Sequence, residues 1–135
     1  MNRVSIVMET RPENISFARV AVTAFMTPLD PSVTETSDVK TAVSEAVTNA
    51  VIHGGGGHVE LNLSIQDKTV TVEVSDKGVG IEDIAAALEP MYTTKSDMER
   101  SGLGFTLMES FMDTVNVESQ PGMGTKVTMT KKLGD

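Results

Sequence analysis

The chain has 135 residues, a net charge of −8 and no cysteine. Disulfides and thiolate metal sites are thereby excluded, no apolar run reaches the roughly 18 residues that a membrane span needs, and a pI of about 4.7 leaves no basic footprint for direct contact with nucleic acid. The length suits one domain over residues 1–135, large enough to bury about two-thirds of its unfolded surface. The missing cysteines, and the lack of an apolar leader after Met1-Asn2-Arg3-Val4, fit a reducing cytoplasm.

Val4, Ile6 and Met8 alternate with polar residues, which predicts an opening strand to Glu9. Pro12 and Glu13 suit the first turn of a helix, because proline tolerates that position and an acid complements the positive end. Ile15, Phe17, Ala18, Val20, Ala21, Val22 and Phe25 give this helix a broad apolar surface, with Arg19 on the less apolar side. Pro28-Leu29-Asp30-Pro31 breaks it. Ser32 followed by Glu35 has the pattern of a capping box. Val39, Ala42, Val43, Ala46, Val47, Ala50 and Val51 then step by threes and fours, the clearest helical period in the chain.

That helix is expected to end at Gly54. The four glycines Gly54 to Gly57 are not followed by Lys-Ser/Thr, so no P-loop is present. Val59, Leu61, Leu63 and Ile65, then Val70, Val72 and Val74, read as a hairpin turning at Gln66-Asp67-Lys68. Residues 76–101 are long and weakly apolar, the composition of a lid, with a short helix around Ile84 to Leu88. A helix is expected from about Gly104 to Met112, and last strands at Val115 to Val117 and Lys126 to Thr130. The nine methionines point to an adaptable core. The predicted fold class is α+β, a two-layer sandwich of a mixed, mostly antiparallel sheet with helices on one face.

Three short segments carry chemistry. Glu45, Asn49 and His53 are four apart and form one helical stripe beside the apolar one. A glutamate there suits a general base, and an asparagine offers a neutral oxygen to Mg²⁺. Taken alone, such a stripe is also what a solvated helix face looks like. Asp76 precedes Gly78 and Gly80 at a strand end; its carboxylate is an acceptor for an amino group, and the same pattern occurs in many turns. Ser101-Gly102-Leu103-Gly104-Phe105 is placed at a helix start, where exposed amides cradle phosphate. Thr94, Lys95 and Arg100 lie just upstream, the two cations within the range of a terminal phosphate.

In order and spacing these segments resemble the N, G1 and G2 boxes of the GHKL ATPase superfamily, and Gly124-Thr125 resembles its later Gly-Thr element. The resemblance implies a Bergerat-type nucleotide site with a lid. Ser16-Phe17-Ala18-Arg19-Val20, Val43 to Ala50, Tyr92-Thr93-Thr94-Lys95 and Glu99-Arg100-Ser101-Gly102 are more closely similar to the anti-sigma F family of endospore-forming bacteria. That family implies a small homodimeric serine kinase that uses ATP, Mg²⁺ and ADP release. Its partners are a sigma factor and an anti-anti-sigma protein. On this resemblance Glu45 is the catalytic base, with Arg100 at the transferring phosphate. Asn49 is the metal ligand and Asp76 reads adenine. Gly78, Gly80, Thr94, Lys95, Ser101, Gly102, Leu103, Gly104, Phe105 and Thr125 line the nucleotide, and Arg19 meets the protein partners. The chain departs from the family pattern at Gly54 to Gly57, where the segment is short.

Three alternatives remain. One is a general-stress relative of the RsbW type. Another is an ATP-binding anti-sigma module without kinase activity. The third, a histidine-kinase catalytic domain, requires an upstream phosphoacceptor helix.

Overall fold

The computed structural model describes residues 1–53, 57–77, 96–120 and 124–134, with the side chains of residues 53, 96–103 and 120 outside the description. Its elements in chain order are β1 (Asn2–Glu9), α1 (Glu13–Met26), a 3-10 turn (Thr27–Leu29), α2 (Val33–His53), β2 (His58–Gln66), β3 (Thr69–Asp76), α3 (Ser96–Phe111), β4 (Thr114–Gln120) and β5 (Gly124–Lys132). The five strands form one sheet in the order β1-β2-β3-β5-β4. All four pairings among the described residues are antiparallel, so the parallel component expected of a mixed sheet is absent among them.

Strand register explains the two layers. Val4, Ile6 and Met8 lie opposite Leu63, Leu61 and Val59. Leu61 and Leu63 lie opposite Val74 and Val72, and those two oppose Val127 and Met129. Residues directly opposite in a ladder share a face, so one face is apolar from β1 to β5. The helices cover that face. From α1 come Ala18, Val22 and Met26; from α2 come Val39, Ala42, Val43, Ala46, Val47 and Ala50; from α3 come Phe105 and Met108. Each is nearly fully buried, and burying one such large side chain stabilises by about 1.5–3 kcal/mol. The other face carries Asn62, Glu73 and Lys126. Asn62 Nδ2 donates to Glu60 and Glu73 carboxylates, and a half-exposed Lys126–Glu73 pair spans 3.6 Å, an arrangement worth little in stability.

Local chemistry fixes the ends. The Ser32–Glu35 capping box forms in both directions: the Glu35 N–H donates to Ser32 Oγ at 3.0 Å, and the Ser32 N–H donates to Glu35 at 2.9 Å. The break after α1 is a 3-10 turn closed by Asp30 at φ 50°. The β2–β3 hairpin turns through Asp67 at φ 56°, a conformation that aspartate tolerates better than most residues. The segment after β5 is tied to the hairpin turn and to the first turn of α2: the Leu133 N–H donates to the Lys68 carbonyl at 2.8 Å. Leu133 is buried, and the Gly134 N–H donates to the second Glu35 carboxylate oxygen at 2.9 Å. The N–H of Ser32, then that of Gly134, holds the Glu35 carboxyl below its ordinary pKa.

Two expectations change. The apolar surface of α1 is narrower than its composition implies: Ala18, Val22 and Met26 are buried and Ile15 and Phe25 pack against the core at partial burial, while Phe17 and Val20 are 50% and 68% exposed. And α3 begins at Ser96, not near Gly104. Gly102 and Gly104 each cost roughly 1 kcal/mol relative to alanine in a helix; burial of Phe105 and Met108 outweighs that penalty.

Candidate functional site

Glu45 and Asn49 project from α2 one turn apart, both half-buried. Across from them runs α3, at Gly104. A Cβ built on Gly104 would lie 3.3 Å from Asn49 Nδ2 and 3.3 Å from Glu45 Oε2. The absent side chain therefore lets the backbone of α3 come against both functional groups. Asn49 Nδ2 is buried and has no hydrogen-bond partner among the described residues. An orphaned buried amide costs about 1–3 kcal/mol, and such atoms are rare in folded chains.

The sheet supplies the rest. Val59 opposes Asp76, Asp76 opposes Thr125, and Thr125 opposes Ser119. Together with Met8, opposite Val59, these residues form one row across all five strands, on the helix-covered face. Asp76 thus ends the buried Val70-Val72-Val74 face of β3 with a carboxylate, at the sheet end where β2 begins. Only four residues separate His53, the end of α2, from His58, the start of β2, so the C-terminal end of α2 lies at that same end. Asn49 is four residues before the end of α2, about 6 Å along its axis. Glu45, Asn49, Asp76 and Thr125 therefore gather at one end of the two layers.

Gly124 is required there. It has φ +92°, and a Cβ on it would run into the Asp76 carbonyl oxygen and lie 2.7 Å from Lys77 Cα. Only glycine lets β5 begin so close to the end of β3. Ser119 adds a contact that residue-by-residue reading of the sequence misses. Its Oγ lies 2.8 Å from Thr125 Oγ1 and donates to the Gly124 carbonyl at 3.0 Å. The signal that would have found it is the register of the closing β4–β5 hairpin.

The remaining expected residues divide as follows. Phe105 is a core residue of α3, 1% exposed. Ser101, Gly102 and Leu103 lie within α3, as does Arg100. The expectation of phosphate-cradling amides at a helix start is therefore corrected: in this conformation 101–105 are interior to α3, where backbone amides serve the helix ladder. Gly78, Gly80, Thr94, Lys95 and the short helix around Ile84 to Leu88 lie outside the described residues, as do Gly54, Gly55 and Gly56. Arg19 is remote from the α2–α3 contact. It lines a groove of about 390 Å³ on the outer side of α1 with Ser16, Val20, Thr23, Ala24 and Lys40.

The residues present fit a metal–nucleotide: an orphaned buried amide, a carboxylate one turn away, a glycine that brings the α3 backbone against both, and a polar Asp76–Thr125–Ser119 row at the sheet end. No cluster of three or more metal-binding acids, histidines or cysteines occurs among the described residues. Helices on one face of this antiparallel sheet, with a polar stripe on α2 beside the strand-end aspartate, define a nucleotide-binding ATPase domain. A family model described as the histidine kinase-like ATPase domain matches residues 8–131, and the chain belongs to that family. A solved structure of the RsbU and RsbW domains of a Mycobacterium tuberculosis protein shares the fold, with a TM-score of 0.71 at 16% identity; the match covers 98% of this chain and 33% of that one.

Within the ATPase family the chain belongs to the anti-sigma F factors. The anti-sigma F factor of Clostridium acetobutylicum is 54% identical over 98% of this chain and 94% of its own length. That of Clostridium beijerinckii is 52% identical over 98% and 95%, and that of Bacillus licheniformis 47% over 98% and 93%. Among the described residues no helix is long and apolar enough to cross a membrane.

Proposed function

We propose that this chain is an ATP-dependent anti-sigma factor and protein-serine kinase. It holds a sporulation sigma factor inactive and phosphorylates a serine of an anti-anti-sigma partner. The observation that carries the reading is the juxtaposition of Gly104 with Glu45 and the orphaned Asn49 amide. Near-full-length identity to anti-sigma F factors supports the partner assignment.

Asn49 presents its side-chain oxygen to Mg²⁺ and its orphaned N–H to a phosphate oxygen. Asp76 and Thr125 take the base. Bound Mg²⁺–ATP supplies the phosphoryl group and a cation that offsets its developing charge. Glu45 accepts the proton of the partner's serine hydroxyl as that oxygen bonds to the γ-phosphorus and ADP is released. Arg100 and Lys95 stabilise the transferred charge, and Thr94, Gly78 and Gly80 complete the pocket. For Gly102 and Gly104 to offer amides to phosphate, the first turns of α3 unwind, because a helical amide is already engaged. Arg19, flanked by the exposed Phe17 and Val20, faces the protein partners of a homodimer, in the cytoplasm.

The test is Glu45→Gln. With ATP and an anti-anti-sigma protein, mass spectrometry of the partner should show no phosphoserine, while calorimetry shows ATP binding retained. Undiminished transfer would remove Glu45 from the base role. No transfer by the unaltered protein would leave an ATP-binding anti-sigma module.

A further inference from the structure

The helix-covered face of β5 ends in a charge. Val127 and Met129 are buried there, and Lys131, next in the alternation, lies opposite the buried Val70. The Lys131 side chain is only 15% exposed. Its Nζ donates at 2.7 Å to the carbonyl of Phe111, the last residue of α3, and lies 3.7 Å from Asp38 Oδ2 on α2. No basic residue occurs in the last turn of α3 itself, so β5 supplies the cation that complements the negative helix end. Asp38 precedes Glu45 by seven residues, and Gly104 precedes Phe111 by seven, about 10.5 Å along each helix axis. Gly104 meets Glu45 and Asn49, while Phe111 is joined to Asp38 through Lys131. The two helices therefore run antiparallel, with polar contacts two turns apart, one in the candidate site and one at Lys131.

From this we infer that Lys131 is a positioning residue for the nucleotide site: by pinning the Phe111 end of α3 to Asp38, it holds the Gly104 backbone against Glu45 and Asn49. The inference rests on the reading of those three residues as the phosphate end of the site, and deepens it. Phe105 and Met108, between the two contacts in sequence, hold α3 by apolar burial, which is non-directional. The charged contact is directional, and it sets where along α2 the end of α3 sits. Both its side chains are mostly buried, so salt screens it little. A site must keep its geometry to within about 0.5 Å, which over 10.5 Å of helix is a tilt of only about 3°. Lys131 thus acts through α3 and not on the ligand.

The experiment measures Mg²⁺–ATP dissociation constants by calorimetry on the full chain, for the unaltered protein, Lys131→Met, Lys131→Arg and Val22→Ala. Methionine keeps the buried stem and removes the charge; arginine keeps the charge. Val22→Ala deletes buried methyls from α1 and controls for lost stability, which thermal melts measure. Lys131→Met should bind Mg²⁺–ATP about tenfold more weakly, the worth of one hydrogen bond in the site. Lys131→Arg should stay within about threefold of the parent, and Val22→Ala should match it. In the nucleotide-free, nitrogen-15-labelled protein, the signals of the Asn49 side-chain amide and the Gly104 amide should move in Lys131→Met and stay in Val22→Ala. A merely structural role would lower Tm in both variants and leave the affinity and both signals in place. Should Lys131→Met melt below the assay temperature, Asp38→Asn, nearly identical in shape, carries the same test, with about a threefold loss expected. Parent-level affinity in the folded variant overturns the role of Lys131 alone. If the unaltered protein does not bind Mg²⁺–ATP, the nucleotide reading itself falls, and this inference with it.

Discussion

Gly104→Ala separates stability from nucleotide binding. The added methyl would meet Asn49 Nδ2 and Glu45 Oε2 at 3.3 Å and Asn49 Oδ1 at 3.5 Å. Ordinary contact begins near 3.4 Å, so both side chains must yield by a few tenths of an ångström. They do so by bending off their rotamers, at roughly 0.5–1.5 kcal/mol each. Against this, alanine at a helical position gains about 1 kcal/mol over glycine. The helix gain offsets part of a strain of about 1–3 kcal/mol, and the nucleotide-free variant should melt between the parent Tm and about 8 °C below it. Ligand affinity has no such offset, because a site must hold its geometry to within about 0.5 Å; a tenfold loss is expected. At a Mg²⁺–ATP concentration 100 times the parent Kd, the parent gains about 2.7 kcal/mol, and a tenfold weaker variant about 1.4 kcal/mol. At roughly 4 °C per kcal/mol for a chain of this length, the nucleotide-induced rise in Tm should halve, from about 11 °C to about 6 °C. The assay is a pair of thermal melts, with and without Mg²⁺–ATP. An undiminished rise in Gly104→Ala would refute the placement of the phosphate end beside Glu45 and Asn49.

Other outcomes follow from single contacts. Gly124→Ala combines a φ of +92° with a collision against the backbone of Asp76 and Lys77; urea denaturation should show a loss of about 2–4 kcal/mol. Asn49→Ala removes an orphaned buried amide and adds helix propensity, so urea stability should hold or rise by up to about 1 kcal/mol, while calorimetry shows Mg²⁺–ATP binding lost. The Glu35 carboxyl is held below its ordinary value by the N–H groups of Ser32 and Gly134. A lowered folded-state pKa stabilises above the unfolded value and is lost as pH falls through the folded one. The Tm advantage of the parent over Glu35→Gln should therefore be full at neutral pH and vanish as the solution is acidified below the ordinary value of 4.5; an advantage that persists in acid would contradict the contact at Gly134.

The strands were legible because one buried face imposes a period of two, and Val59-Leu61-Leu63 and Val70-Val72-Val74 keep it without interruption. The α2 helix was legible for the matching reason, a full 3.6-residue stripe with a capping box at its start. The start of α3 was hidden because two glycines sit in its body; local propensity argues against helix there, and only the packing of Phe105 and Met108 reverses it. Phe17 and Val20 misled in the opposite sense, since an apolar residue on a helix does not declare which way it faces. Glu45 and Asn49 were legible as a stripe within one helix. Their closeness to Gly104 was not, because it depends on how α3 crosses α2. The row from Asp76 to Ser119 needed strand register, which joins residues 43 positions apart in sequence.

The central claim is that α2, α3 and the far end of the sheet enclose one nucleotide. Titration of Mg²⁺–ATP into nitrogen-15-labelled protein tests it most directly, since the Asn49 side-chain amide gives its own signal. That signal should move in step with the backbone amides of Asp76, Gly104 and Thr125, with a common midpoint. A titration that leaves the Asn49 side chain in place, or moves it at a different midpoint from Asp76 and Thr125, would contradict the account.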